Sequence, residues 1–252
     1  MNKFFVPEQD IHCGRAFIRG DDARHISRVL RLQCGSEINI NNCSGREFLG
    51  KIEKTEKNVV VVKILKELEL YNESPVNMYL FQGLPKSSKM DLIVQKATEI
   101  GACEITPVIT KRVVVKGNFS QYKKVGRWNK IAGEACKQCK RSRIPLVNNP
   151  VNFERLLQSL TSMDLIFVPY ENEKNLGIKN VIASIKNKDA VKEVAGVVGP
   201  EGGFEEEEIE LLRNMKSYIV TLGPRIFRTE TAGFVSLTLL MYELGDLGGI
   251  VK

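Results

Sequence analysis

Two glycine-rich turns near the C-terminus carry the residues best suited to chemistry. The first is Gly199-Pro200-Glu201-Gly202-Gly203, reached from the apolar pair Val197-Val198. The second opens with Leu222-Gly223-Pro224 and closes with Arg228-Thr229-Glu230-Thr231-Ala232. Each is entered from a strand-like apolar run and left into a helix-like pattern, so strand, tight loop and helix occur twice in succession. In an open parallel sheet such loops gather at the carboxyl ends of the strands, where small molecules bind. Glycine lets a ligand approach the backbone and permits positive φ. A glycine loop before a helix usually suggests phosphate. Here the helix starts with Glu205 to Glu208, which suit the positive end of the helix dipole and repel a phosphate. No GxxxxGK[ST] or GxGxxG pattern occurs. The first loop therefore reads as built for a ligand without phosphates, with a cationic one fitting.

Gly199 to Gly203, followed by Leu222-Gly223 and Arg228 to Ala232, resembles the SPOUT superfamily of methyltransferases. Within it the chain looks like the RsmE family of 16S rRNA (uracil-N3)-methyltransferases. The resemblance implies an α/β fold, with a small PUA-like β-barrel first (residues 1–72) and a parallel-sheet α/β domain second (73–252). It also implies a trefoil knot in about 195–245 and S-adenosylmethionine (SAM) bound bent within it. It places cofactor contacts at Pro169, Val198, Gly199, Glu201, Gly202, Gly203, Leu222, Gly223, Ile226, Phe227, Arg228, Thr229 and Ala232. Backbone groups of Gly199, Gly202, Leu222, Gly223, Ile226 and Phe227 are expected to hold adenosine. Phe227 stands where the family usually has leucine, so the pocket wall stays apolar.

Methylating uridine at N3 requires that the ring nitrogen lose its proton and lie in line with the methyl–sulfur bond. Positioning and electrostatics supply most of the help. Arg228 is the expected electrostatic residue, on the base or on its flanking phosphate. Glu201 is the candidate proton acceptor or a partner for the sulfonium, and Glu230 rivals it for either task. Helix-end stabilisation is the other reading of Glu201. No metal or covalent nucleophile is required.

The elements that must hold these loops follow from the rest of the chain. Strand candidates lie at Phe4–Val6, Ala16–Ile18, Glu37–Ile40, Phe48–Ile52 and Val59–Ile64, separated by turn residues. One helix interrupts them, with Asp22 as cap and His25, Arg28 and Arg31 on a face opposite Ile26, Val29 and Leu30. This matches the family's His-x-x-Arg-Val-Leu-Arg signature, which implies contacts to RNA phosphates. A polar, Pro-ended break near Glu69–Pro75 marks the domain boundary. Val76–Leu84, a helix capped by Ser88 with Asp91, and Ile105–Ile109 make a βαβ unit and hence a parallel sheet. A helix from Tyr122 puts Trp128, Ile131, Ala132, Ala135, Cys136 and Cys139 on one apolar face. Its basic residues, Lys137, Lys140 and Arg141 among them, fit an RNA-backbone footprint; the resemblance adds Lys96, Arg112 and Gln138, by matching family positions, to these and to His25, Arg28 and Arg31 as the expected RNA contacts. Further elements are a helix over Phe153–Leu160, a strand at Asp164–Val168, a weak helix at Val181–Ile185, and a last helix over about Glu230–Gly245.

With 252 residues, 43% of them hydrophobic, and a net charge of +7, the chain has the composition of a soluble protein with an anionic partner. No apolar stretch approaches the roughly 20 residues of a membrane span, and the N-terminus has no signal-peptide core. Six scattered cysteines suit a reducing cytosol. Cys136 and Cys139 form a single CxxC, with only His12 and His25 as possible further nitrogen ligands, so core packing is expected in place of zinc. The resemblance adds a cytoplasmic homodimer acting on 16S rRNA, within the decoding region of the assembled 30S subunit. Two other readings remain open: another SPOUT enzyme acting on tRNA or on a ribose 2′-OH, and a non-catalytic RNA-binding protein.

Overall fold

The computed structural model describes residues 1–69, 72–86, 89–113 and 124–249. They form two compact units. One is Met1–Glu73 with Cys136–Ile144; the other is Ser74–Ala135 with the chain from Pro145 onward. Ser88, Tyr122 and Lys123, which the sequence places at helix starts, lie outside the described residues.

The first unit is a six-stranded sheet. Its strands are β1 (Lys3–Phe5), β2 (Ile11–His12), β3 (Arg15–Arg19), β4 (Glu37–Asn41), β5 (Glu47–Thr55) and β6 (Val59–Leu68). They run in the order β1-β4-β5-β6-β3-β2, antiparallel except for β1 beside β4. Alternate residues point inward and pack a sealed core of Ala16, Ile18, Ile38, Ile40, Ile52, Val60 and Val62. Register shifts in β5 at Leu49/Gly50 and Ile52/Lys54 curl the sheet. The curl stops short of a closed barrel, since β1 and β2 are the two ends of the strand order.

Helix α1 (Gly20–Arg24) follows β3, and a π-helical turn over His25–Val29 continues it. Arg19 is the N-cap, so Asp22 lies inside the helix and does not cap it. The wider π turn shifts the expected helical face. Ala23 and Ile26 are buried, whereas Val29, expected inward, is 66% exposed. Arg31 adopts φ 51° and has left the helix, so it does not continue the line of His25 and Arg28.

The second unit is an all-parallel sheet of β7 (Asn77–Gly83), β8 (Glu104–Ile109), β9 (Leu146–Val147), β10 (Val151–Asn152), β11 (Leu165–Pro169), β12 (Glu193–Val198) and β13 (Tyr218–Val220). The order is β10-β8-β7-β12-β11-β13, with β9 also beside β8. Its strands read as continuous apolar runs, such as Leu165 to Val168, because both sheet faces are covered. The helices are α2 (Lys89–Ile100), α3 (Val125–Cys139), α4 (Phe153–Leu160), α5 (Ile178–Ser184), α6 (Glu206–Asn214) and α7 (Thr229–Leu244). Helix α2 stops at Gly101, φ 118°, where a Cβ would stand 2.5 Å from the Met241 methyl of α7. Because β12 enters between β7 and β11, the chain reverses its direction across the sheet there. The loops after β11, β12 and β13 therefore lie side by side at the strands' carboxyl ends.

On α3, Trp128, Ala132, Ala135 and Cys136 are buried. The Cys136 thiol donates to the Arg143 carbonyl oxygen at 3.4 Å, and burial pushes its pKa up to about 12. Among the described residues, no cluster of His, Cys, Asp and Glu could hold a metal, and no helix is long and apolar enough to cross a membrane.

Candidate cofactor and active site

The loops after β11, β12 and β13 enclose a cleft of about 1040 Å³. Pro169, Tyr170 and Glu171 form one wall, Val198 to Glu201 with Gly203 and Phe204 a second, and residues 221–229 a third, with Ala232 behind them. Every residue expected at the cofactor lines this cleft except Gly202. Gly202 faces Arg112 instead: a Cβ there would lie 3.1 Å from Arg112 Cβ. Arg112 Nη1 donates to the Gly202 carbonyl oxygen at 3.0 Å, and the same guanidinium pairs with Glu205 at 2.9 Å. Arg112, an expected RNA contact, thus clasps the first loop while its side chain stays 41% exposed.

Several contacts hold that loop from behind. Gly203 has φ 70°, and a Cβ on it would stand 2.5 Å from Glu171 Oε1. Gly83, at the end of β7, lies so close to Pro200 that a Cβ would approach its nitrogen to 2.4 Å. The acidic helix start divides its tasks. Glu208 is buried and accepts from the N–H of Glu205 and the N–H of Lys111, both at 2.9 Å, while Glu207 pairs with the Lys111 ammonium. The second loop returns to the first through Thr229, whose hydroxyl donates to the Gly199 carbonyl oxygen and accepts from the buried Gln82 amide.

The charged groups in the cleft are not equivalent. The Lys89 ammonium lies 3.2 Å from Glu201 and 3.0 Å from Glu230. Glu201 also accepts from the Lys86 N–H at 3.1 and 3.3 Å. Burial alone would raise the Glu201 carboxyl; backbone N–H groups and the Lys89 ammonium outweigh it and hold the group below the usual carboxylate range. That is the state of a fixed anion and a poor one for a proton acceptor. Arg228 is the N-cap residue of α7, is exposed to the cleft, and forms no ion pair with any described residue. Sequence reading missed Lys89, Gln82, Gly83 and Glu171 as parts of the site. Lys89 and Gln82 carry no local motif, and only the topology brings β7 and α2 to the loops.

Residues 72–241 match the RNA methyltransferase domain family, and residues 18–65 match the RNA methyltransferase PUA domain family. The ribosomal RNA small subunit methyltransferase E of Bacillus subtilis is 34% identical over 99% of this chain and 99% of its own. The chain belongs to the ribosomal RNA small subunit methyltransferase E family. The family's fold, a curled PUA sheet and a SPOUT α/β domain, is the fold described above. The family member from Neisseria gonorrhoeae, solved bound to S-adenosyl methionine, superposes with a TM-score of 0.81 at 28% identity, covering 98% of this chain and 99% of that one. A Legionella pneumophila methyltransferase, solved with bound SAM, gives 0.80 at 31% identity, covering 97% and 98%.

The residues this family resemblance assigns to RNA do not form one set. In the first unit His25, Arg28, Arg31, Gln138 and Lys140 are exposed, and Lys137 lies 3.5 Å from Asp22. Arg141, expected on RNA, is 6% exposed and bonds Glu73 at 2.8 Å, so it is structural. Lys3 reinforces the same turn by donating to the carbonyl oxygens of Lys140 and Arg141. In the second unit Lys96 pairs with Glu99 at 2.7 Å on α2.

Proposed function

We propose that this protein transfers a methyl group from SAM to N3 of a uridine in the decoding region of 16S rRNA. The observation that carries this reading is the convergence of both C-terminal loops on one cleft, with Arg228 unpaired at its edge, in a chain of this family. The cleft suits the cofactor. It is of ligand-binding size, and its walls are backbone and apolar surface at Gly199, Leu222, Gly223 and Phe227. SAM supplies an electrophilic methyl on a positively charged sulfur. The chain's own residues do the rest. Backbone groups of the two loops fix the adenosine, and Glu201, held ionised, is a fixed anion for the cationic end. The Arg228 guanidinium stabilises the charge that develops on the uracil carbonyl oxygens as N3 releases its proton to solvent and takes the methyl from sulfur.

The exposed basic residues of the first unit, Arg28, Arg31 and Lys140, track the rRNA backbone in an assembled 30S particle. A homodimer is supported by apolar side chains left in water on packed helices of the second unit, Leu92 of α2 at 42% and Tyr242 of α7 at 63%. The cytoplasm is where this substrate resides. Nucleoside analysis of 16S rRNA and of tRNA from cells lacking the protein tests the reading: N3-methyluridine should disappear from the 16S rRNA. Its persistence, or loss of a ribose-methylated or tRNA nucleoside instead, would overturn it.

A further inference from the structure

Lys89 is the first residue of α2 and lines the cleft. Its ammonium meets Glu201 Oε1, in the first loop, at 3.2 Å and Glu230 Oε2, in the first turn of α7, at 3.0 Å. Glu201 is fastened to the same segment a second time through the Lys86 N–H. Glu230 Oε2 is enclosed, and the Lys89 ammonium at 3.0 Å is what compensates its charge. Three segments remote in sequence thus converge on one ammonium. Without it, two carboxylates that share a single cation would face each other as like charges. The side chains of Lys89, Glu201 and Glu230 are 31%, 26% and 13% exposed, so water screens the contact only in part.

The geometry points to Lys89 as a positioning residue for methyl transfer: its ammonium holds Glu201 and Glu230 together and so fixes the spacing of the two loops that take the cofactor. This rests on the reading of the cleft as a SAM site. Lys89 acts through the two glutamates and not on the reacting atoms. Loss of its charge at nearly constant length, in K89M, lets the loops part. Loss of one carboxylate as well, in K89M/E230Q, removes the repulsion that Lys89 offsets. A lysine that merely supported the fold would show this rescue in melting temperature alone, with SAM affinity unmoved.

The test is calorimetric titration of SAM into wild type, K89M, K89R, E230Q and K89M/E230Q, with the melting temperature of each ligand-free protein. K89M should bind SAM roughly tenfold more weakly, the scale of coupling between residues of one contact network. K89R should recover most of that loss, and K89M/E230Q should bind more tightly than K89M. Undiminished affinity in K89M, or no recovery in the double variant, overturns the inference while leaving the cofactor reading intact. If K89M does not fold, E230Q decides, and affinity equal to wild type overturns the inference. Failure of wild type to bind SAM removes the reading of the cleft and the role of Lys89 with it.

Discussion

The Thr229 hydroxyl donates to the carbonyl oxygen of Gly199 across 2.5 Å and accepts from Gln82 Nε2 at 2.8 Å. Through this one side chain the start of α7, the end of β12 and the end of β7 share two hydrogen bonds. Gln82 is fully buried and Thr229 nearly so. Thr229→Val therefore strands the Gly199 carbonyl and one N–H of the sealed Gln82 amide, whose Nε2 keeps only the Gly83 carbonyl oxygen at 3.2 Å, at a cost of about 1–3 kcal/mol. Urea denaturation should show that loss, and SAM titration should show weakened binding. Thr229→Ser keeps the hydroxyl and should stay close to wild type in both.

Arg112 makes a second, separable prediction. Its guanidinium bonds the Gly202 carbonyl oxygen and Glu205, so it holds the first loop and has few donors left for phosphate. Arg112→Ala should weaken SAM binding several-fold. The dependence of rRNA affinity on salt should be unchanged, because that slope counts neutralised phosphates. A shallower slope in this variant would return Arg112 to the RNA surface.

Sequence reading reached the loops but not what fastens them. Strand, glycine loop and helix are local patterns, and they place Gly199–Gly203 and Leu222–Ala232 correctly at strand ends. The parallel sheet follows from Val76–Leu84, a helix and Ile105–Ile109 for the same reason. The strand order is a non-local property, and with it goes the meeting of Lys89 with Glu201 and of Gln82 with Thr229. Charge alone misled where a cation has an internal partner. Arg112 and Arg141 both lie in a basic stretch and each pairs with a glutamate, but Arg112 stays exposed whereas Arg141 is buried. The π turn at His25–Val29 likewise defeats a 3.6-residue count, which is why Val29 and Arg31 fall off their expected faces.

The basic surface of the first unit can be tested without Arg141. Arg28, Arg31 and Lys140 are exposed. If they touch single-stranded rRNA phosphates, neutralising all three should reduce the slope of log affinity against log salt by roughly 0.7 for each phosphate they had neutralised. SAM affinity should not change, since none of the three lines the cleft. Filter binding across a salt series measures the first quantity and calorimetry the second. An unaltered slope would show that the RNA approaches elsewhere.

Glu73 and Arg141 give a prediction in pH. The Glu73 carboxylate accepts from the Arg141 guanidinium and from the N–H groups of Ser142 and Arg143. Burial would raise its pKa; the guanidinium and the two N–H groups outweigh that and hold it below the usual range. A carboxyl depressed in the folded state stabilises the fold above its unfolded value, about 4.3, and that stabilisation is lost as pH falls through the lower folded value. Glu73→Gln should therefore be less stable than wild type at pH 7, with the gap closing below about pH 4. Arg141→Met leaves the carboxylate without its guanidinium. Removing one partner of a sealed pair costs roughly 3–5 kcal/mol. The Glu73 side chain keeps 26% of its surface in water, so about 2–3 kcal/mol is expected here after solvent screening. Urea titrations of the three proteins at pH 7 and at pH 4 measure both effects. A gap between wild type and Glu73→Gln that does not narrow on acidification would mean the carboxylate's charge contributes nothing to holding this turn.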